Sequence, residues 1–294
     1  MKERLAVGVL RLLAVLPLPL VHLLGSLLGG LYVLVPNKQR RNALINIRLC
    51  LPELSPKAQV ALRNAAMHEF AKTYLEIAAL WLRPPGRVLA LVKQVSGGEL
   101  LGRQGNGQGI LVLSPHLGAW ELAGLYLSTQ GPVTSMYRPQ GLFEELILNA
   151  RERSGARLVP TDAGGIRCIL SALRSGEYVG ILPDQEPKSD KAAVFAPLFG
   201  VPAYTMLLVN RLARKTGARV FFMFAQRLPR GRGFHIRCVP APPEVVSADP
   251  VAAATALNEG IAACVRLCPE QYHWTYKRFR RRPPGMPKLY TGPL

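Results

Sequence analysis

The chain is 294 residues long, is 49% hydrophobic, and carries 37 Lys and Arg against 18 Asp and Glu for a formal charge of +19. That much apolar sequence excludes a disordered chain and supports one large domain or two small ones. The charge calls for a polyanionic partner, and a mean hydropathy of +0.15 favours an anionic membrane surface over nucleic acid, since soluble nucleic-acid modules seldom pair such basicity with so much apolar sequence.

From Leu12 to Pro36 no side chain is formally charged, and Lys2, Arg4 and Arg11 come before. This run exceeds the ~20 residues needed to cross a bilayer core. No small-x-small cleavage site follows it, so residues 1–36 read as a retained N-terminal membrane anchor. Pro17 and Pro19 with Gly25, Gly29 and Gly30 leave two forms open, a full span and a kinked re-entrant insertion. Gly25-x3-Gly29 also fits a helix-packing pair. Residues 37–86 read as a helical segment packing on the core, with a break at Leu51 to Pro56, a cap at Ser55-Pro56, a second helix from Lys57 to Trp81, and a stop at Pro84-Pro85-Gly86.

From residue 87 onward short apolar runs alternate with helical stretches. Ile110 to Leu113 is a buried-strand pattern that delivers Ser114-Pro115-His116 to its carboxyl end. Gly165 to Arg174 is helical, Gly176 caps it, and Tyr178 to Leu182 is a strand ending at Pro183-Asp184-Gln185. Tyr204 to Lys215 reads as a helix, Gly217 as its cap, and Ala218 to Ala225 as a third strand. Repetition of helix, Gly and strand predicts an α/β sandwich with ligands at strand carboxyl ends, where both His116 and Asp184 fall. Asp249 to Cys268 is a final helix, and residues 87–294 are taken as one α/β domain with a basic C-terminal tail.

The five cysteines are odd in number, scattered and in no C-x-x-C pair, so reduced buried thiols in a reducing compartment are expected. Cys264 and Cys268 could share a helix face, but no second ligand pair accompanies them, and no metal site is predicted.

The strongest chemical signal is Ser114-Pro115-His116-Leu117-Gly118-Ala119-Trp120-Glu121. On one regular helix a separation of five turns two side chains roughly 140° apart. His116 and Glu121 can meet only if His116 sits in the turn before the helix and Glu121 in its first turns. A carboxylate on one imidazole nitrogen would fix the tautomer and free the other nitrogen as a base for a hydroxyl. The first helical N–H groups, beside Gly118 and Ala119, could hold an oxyanion. Taken by itself the spacing also fits a histidine that merely caps a strand. His22, His68, His235 and His273 lack such a carboxylate and read as anchor, surface or packing residues. Arg138, Arg151 and Arg153 are candidate phosphate or carboxylate clamps, or else surface arginines. Asp184 either hydrogen-bonds an acceptor or fixes the turn at Pro183. Gly105-x-Gly107-x-Gly109 precedes a strand, the wrong order for a dinucleotide fingerprint, and no G-x-S-x-G elbow occurs.

Five blocks in order resemble the late (lauroyl and myristoyl) acyltransferases of lipid A biosynthesis, within the lysophospholipid acyltransferase superfamily. They are His116-x4-Glu121; Tyr137-Arg138-Pro139 with Arg151-Glu152-Arg153-Ser154-Gly155; Leu173-Arg174-Ser175-Gly176-Glu177 leading to Leu182-Pro183-Asp184-Gln185; Phe195 to Thr205; and Pro269-Glu270-Gln271-Tyr272-His273-Trp274 with Arg278-Phe279. The resemblance implies a glycerolipid acyltransferase-like α/β fold, a mixed sheet flanked by helices with an N-terminal membrane anchor helix. It implies acyl transfer from an acyl carrier protein thioester to a hydroxyl of a lipid A precursor of the Kdo-lipid IVA type, without metal or cofactor, by the base His116 oriented by Glu121. Arg151 and Asp184 would be needed for activity, with Arg138, Arg153 and Gln185 also contacting substrate, on the cytoplasmic face of the inner membrane. Another glycolipid or a lysophospholipid is the alternative acceptor. A membrane-tethered nucleic-acid-binding or scaffold protein is the reading from a different class; the resemblance implies no nucleic acid. Pro115 stands where the family often has Asn, and the loop after Pro139 is about two residues shorter. Lys38, Arg40, Arg41 and Arg48 together with Lys277, Arg278, Arg280, Arg281, Arg282 and Lys288 are expected to form a cationic collar against an anionic membrane.

Overall fold

The computed structural model describes residues 2–102, 107–137, 144–187 and 192–291, with residues 2–6 as backbone alone. Helices α1 (Lys2–Val15) and α2 (Leu18–Leu34) are separated at Pro17, which has no N–H to donate back into a continuing helix. The apolar run from Leu12 to Pro36 is therefore broken at Pro17, one of the interruptions that left a kinked form open. Among the described residues no single helix is long and apolar enough to cross a membrane, and α2 with α3 (Lys38–Cys50) has the length and composition only as a pair bent by 82°.

What α2 does instead is pack along α4 (Pro56–Leu82). A Cβ at Gly29 would lie 2.4 Å from the Cα of His68, and one at Gly25 would lie 2.7 Å from the Cα of Lys72. The small-residue spacing thus serves contact between two helices of this chain. On the inner face Val21 and His22 are buried, whereas Leu23, Leu27 and Leu31 on the outer face are 55%, 65% and 55% exposed. α3 and α4 start at side-chain caps: Asn37 accepts from the Arg40 N–H at 2.8 Å, and Ser55 from the Ala58 N–H at 3.3 Å.

After the short α5 (Pro85–Leu89) the chain alternates strands and helices: β1 (Val92–Ser96), β2 (Ile110–Leu113), α6 (Trp120–Leu127), β3 (Val133–Tyr137), α7 (Glu144–Glu152), β4 (Ala156–Pro160), α8 (Ala163–Arg174) and β5 (Tyr178–Ile181). It continues through β6 (Ala193–Leu198), β7 (Val201–Met206), α9 (Leu208–Thr216), β8 (Arg219–Arg227), β9 (Phe234–Pro240) and α10 (Pro250–Leu267). Seven strands form one sheet in the order β1-β9-β8-β2-β5-β3-β4, with every pair parallel except β8 and β9. This is the mixed, mostly parallel sheet flanked by helices that the alternation predicted. β2 lies at its centre, with Leu111 and Leu113 in the core on one face and Ile110 and Val112 in the core on the other. A strand buried on both faces reads as a continuous apolar run, which is why it was visible in the sequence.

Two elements differ from expectation. The segment from Tyr204 is not helical at first: Val201 to Met206 forms β7, paired antiparallel with β6 around Phe199 and Gly200, both at positive φ. The helix begins only at Leu208, because alternating apolar and β-forming residues up to Thr205 hold the extended state against their partner strand. Of the five free cysteines four are buried, and Cys168 is exposed.

The basic C-terminal stretch is not a solvated tail. Arg278 is 3% exposed and donates to the carbonyl of Tyr204, Arg281 lies over the Tyr204 ring, and Arg280 pairs with Glu186 at 3.4 Å. Arg41 of α3 donates to the carbonyl of Tyr290, which ties this helix to the C-terminal stretch.

Candidate active site

Because β2, β5 and β8 run parallel and adjacent, their carboxyl ends bring His116, Asp184 and Arg227 to one edge of the sheet. Between β2 and α6 the chain makes a turn whose Gly118 has φ +61 and whose Cβ would lie 2.1 Å from the Ala225 carbonyl oxygen. Only glycine fits there, and the turn is pressed onto the end of β8. Its other side is held by the segment 271–273: Gly118 N–H donates to Gln271 O at 3.1 Å, and His273 N–H donates to His116 O at 3.0 Å.

His116 sits in this turn and Glu121 is the second residue of α6, the arrangement that the x4 spacing required. The carboxylate on the imidazole, however, is that of Asp184. His116 Nδ1 bonds Asp184 Oδ1 at 2.7 Å, and the His116 backbone N–H bonds Asp184 Oδ2 at 2.9 Å. The Gln185 amide reaches His116 Nε2 at 3.1 Å. An acceptor at Nδ1 and an amide donor at Nε2 select the tautomer whose Nε2 lone pair is the proton-accepting site. Burial alone would raise the Asp184 pKa, but the His116 charge and the hydrogen bonds from His116 hold it below the ordinary carboxylate value.

Glu121 turns the other way. Trp81 Nε1 donates to Glu121 Oε2 at 3.2 Å, Arg151 Nε donates to the same oxygen at 3.0 Å, and Arg151 Nη2 donates to Oε1. Burial pushes its pKa up, yet the Arg151 charge outweighs burial and holds the carboxyl below its usual range. The expected direct bond between Glu121 and His116 is thus replaced by two pairs, His116 with Asp184 and Glu121 with Arg151. Sequence spacing could not reveal the first pair, because Asp184 lies 68 residues away and reaches His116 only through strand pairing.

Arg153 is not at the site. Its guanidinium donates to the carbonyls of Leu80 and Arg83, closing the C-terminal end of α4, so the clamp expected there is a helix cap. Arg138 lies outside the described residues. His273, expected as an anchor, surface or packing residue, stands beside His116, with its ring centroid 6.0 Å from that of His116 and its ring stacked on Trp120. Burial drives its pKa down to about 4, with the His116 charge adding to the shift, so it is neutral at physiological pH. Its position in the closing motif was the only signal that could have flagged it.

Next to Glu121 and Trp120 opens an apolar cleft. It runs between α6 and the sheet and is lined by Leu125, Leu127, Val133, Met136, Leu158 and Met223. No group of three His, Cys, Asp or Glu suited to a metal ion occurs among the described residues.

The Glu121 and Arg151 pair yields a stability prediction. Arg151→Ala leaves a buried carboxylate unpaired and is expected to cost on the order of 2 kcal/mol at pH 7. A depressed carboxyl contributes stability above its unfolded pKa, about 4.3 for Glu, and loses that contribution as pH falls through the lower folded value. The gap between wild type and variant in denaturant titrations should therefore be widest at neutral pH and close below about pH 4. An equal gap at both pH values would show that the pair does not carry the effect.

The chain matches the family model for the bacterial lipid A biosynthesis acyltransferase over residues 2–281. It is 28% identical over 289 residues to the lipid A biosynthesis lauroyltransferase of Escherichia coli (strain K12), covering 97% of this chain and 94% of that protein. The lipid A biosynthesis palmitoleoyltransferase of the same strain is 28% identical over 286 residues, 96% of this chain and 92% of that one. Its lipid A biosynthesis myristoyltransferase is 27% identical over 271 residues, 91% and 82% respectively.

Proposed function

The chain belongs to the bacterial lipid A biosynthesis acyltransferase family and is an acyltransferase, and from that premise we propose that it moves a fatty acyl group from an acyl carrier protein thioester to a hydroxyl of a lipid A precursor, with His116 as the base. The observation that carries this reading is the fixed tautomer of His116, whose ring lies 5.1 Å from that of Trp120, a residue lining the apolar cleft of acyl-chain character.

The acceptor hydroxyl takes the place of the Gln185 amide at Nε2. It gives its proton to that nitrogen as its oxygen attacks the thioester carbonyl. The resulting imidazolium is stabilised by Asp184 at Nδ1. Collapse of the tetrahedral intermediate breaks the carbon–sulfur bond, and the proton on Nε2 passes to the departing thiolate. The oxyanion cannot use the Gly118 and Ala119 N–H groups, which are bonded to Gln271 O and Ala225 O. It falls to the N–H groups of Trp120 and Glu121 at the start of α6, where the helix dipole also favours negative charge. Glu121 keeps the Arg151 guanidinium at the mouth of the cleft and supplies negative charge near the imidazolium.

Membrane association at the cytoplasmic face is part of this reading, and it is supported by the exposed leucines of α2 and by the net charge of +19. The same positive surface suits the acidic carrier protein and the phosphates of the acceptor.

Incubating the detergent-purified chain with acyl carrier protein thioester and either a lipid A precursor or a lysophospholipid, followed by mass spectrometry, tests the reading. One added acyl chain on the lipid A precursor is expected; transfer to the lysophospholipid alone would move the acceptor to the other class.

The cleft also predicts a length preference. A Cβ at Gly124 meets nothing within 4 Å, so a larger side chain there would project into the cleft. Gly124→Leu is expected to shift preference toward shorter acyl donors by about tenfold or more, since each methylene accommodated or refused is worth about 10-fold to 200-fold. Competition between donors of two lengths measures the shift, and an unchanged product ratio would remove the cleft from chain selection.

A further inference from the structure

Arg227, at the carboxyl end of β8, is 4% exposed and lies behind the catalytic turn, away from the groups assigned to chemistry. Its guanidinium reaches two elements at once. Nε donates to both carboxylate oxygens of Glu76 at 3.0 Å, Nη2 donates to Glu76 Oε1 at 2.6 Å and to Thr73 Oγ1 at 2.5 Å, and Nη1 donates to Glu69 Oε2 at 3.3 Å. Those three acceptors share one face of α4. The same Nη2 donates to the carbonyl oxygen of Gly118 at 3.0 Å, in the turn between His116 and Glu121. The Arg227 main chain is locked too: its N–H donates to Gln271 Oε1 at 2.8 Å and its carbonyl accepts from Gln271 Nε2 at 3.1 Å. Gln271 is the residue whose own carbonyl accepts the Gly118 N–H.

The chain of contacts extends outward. Glu76 is fully buried, and its Oε2 accepts from His22 Nε2 at 2.9 Å. His22 is on the inner face of α2, the helix whose outer face carries the exposed leucines. A buried polar path therefore runs from α2 through Glu76 and Arg227 to the carbonyl of the catalytic turn. A fork with five donors is required to serve a carboxylate and a carbonyl on different elements together, and a lysine cannot do so.

We propose that Arg227 is a positioning residue for the His116 turn, held in place by Glu76 and His22, so that α2 is part of the catalytic framework and not a detachable anchor. The catalytic role of the turn rests on the acyl-transfer reading above, but the positioning itself does not, and the test separates the two.

The first measurement needs no substrate. Hydrogen exchange of the peptide covering 114–121 is followed in the full-length wild type and in Arg227→Lys, Glu76→Gln and His22→Ala, each checked for native circular dichroism. The Gly118 and Ala119 amides, protected by Gln271 O and Ala225 O, are expected to exchange at least about tenfold faster in Arg227→Lys and Glu76→Gln, in line with local opening of a less constrained segment. Unchanged protection of that peptide in both would overturn the proposal whatever the activity of the protein. The second measurement is acyl transfer. A misplacement of about 1 Å at a reacting group costs on the order of 100-fold, so kcat in Arg227→Lys should fall about 10-fold to 100-fold with KM within about twofold. His22→Ala should lower kcat severalfold while binding to anionic vesicles stays at the wild-type level, because the His22 side chain is only 6% exposed. Loss of vesicle binding in parallel with kcat, or wild-type kcat in all three variants, would return α2 to the role of an anchor. If the wild type transfers no acyl group while the exchange result holds, the functional reading fails and the positioning stands.

Discussion

Replacing His116 by alanine is expected to reduce turnover by about 10² to 10⁴, the usual worth of a positioned general base, with membrane association and fold unchanged. In the proposed mechanism the side chain serves the proton transfer, with its ring nitrogens bonded to Asp184 and Gln185. Single-turnover assays with a saturating acyl donor isolate the chemical step from product release. Near-wild-type rates there would remove His116 from the reaction, and a collapsed melting transition would assign it to structure.

Asp184→Asn is expected to be comparably damaging, a loss of about 10⁴ if the carboxylate holds the tautomer as such carboxylates do beside other catalytic histidines. The substitution is close to isosteric, and the amide oxygen can keep the bond from the His116 N–H. Its NH₂ group must then face Nδ1, which forces the proton onto Nε2 and takes away the lone pair that receives the acceptor's proton. Glu121→Gln provides the contrast. It retains an acceptor for Trp81 Nε1 and does not touch the imidazole, so its effect should come through Arg151 and be smaller. Parallel measurement of the two variants orders the two carboxyls. A larger loss at Glu121 than at Asp184 would reinstate the pairing suggested by the x4 spacing and demote Asp184 to fixing the turn.

Much of the architecture was legible without coordinates because it depends on local periodicity. β2 is a run of four apolar residues, α8 ends at the expected Arg174 ahead of Gly176, and α4 begins at the expected Ser55-Pro56. The carboxyl-end placement of His116 and Asp184 followed from the same alternation, and the five blocks in order carried the family. Those signals sit within a few residues of each other, where propensity and capping act.

Pairing across the fold was not legible. Whether Glu121 or Asp184 meets the imidazole is decided by the registry of β2 against β5, with Leu113 opposite Ile181, and by the approach of α7, which brings Arg151 to Glu121. Arg153 differs from Arg151 by two positions on the same stretch, yet one faces the site and the other caps α4. The Leu12 to Pro36 stretch has the composition of a membrane span, but the break at Pro17 and the close approach of Gly25 and Gly29 to α4 bury one face of α2 against this chain. Sequence by itself therefore determined most of the elements, the strand ends where His116 and Asp184 fall and the family. Tertiary structure alone decided which charge meets which, because electrostatic pairs and buried hydrogen bonds act over a few ångströms in space between residues that the chain separates by 30 to 151 positions.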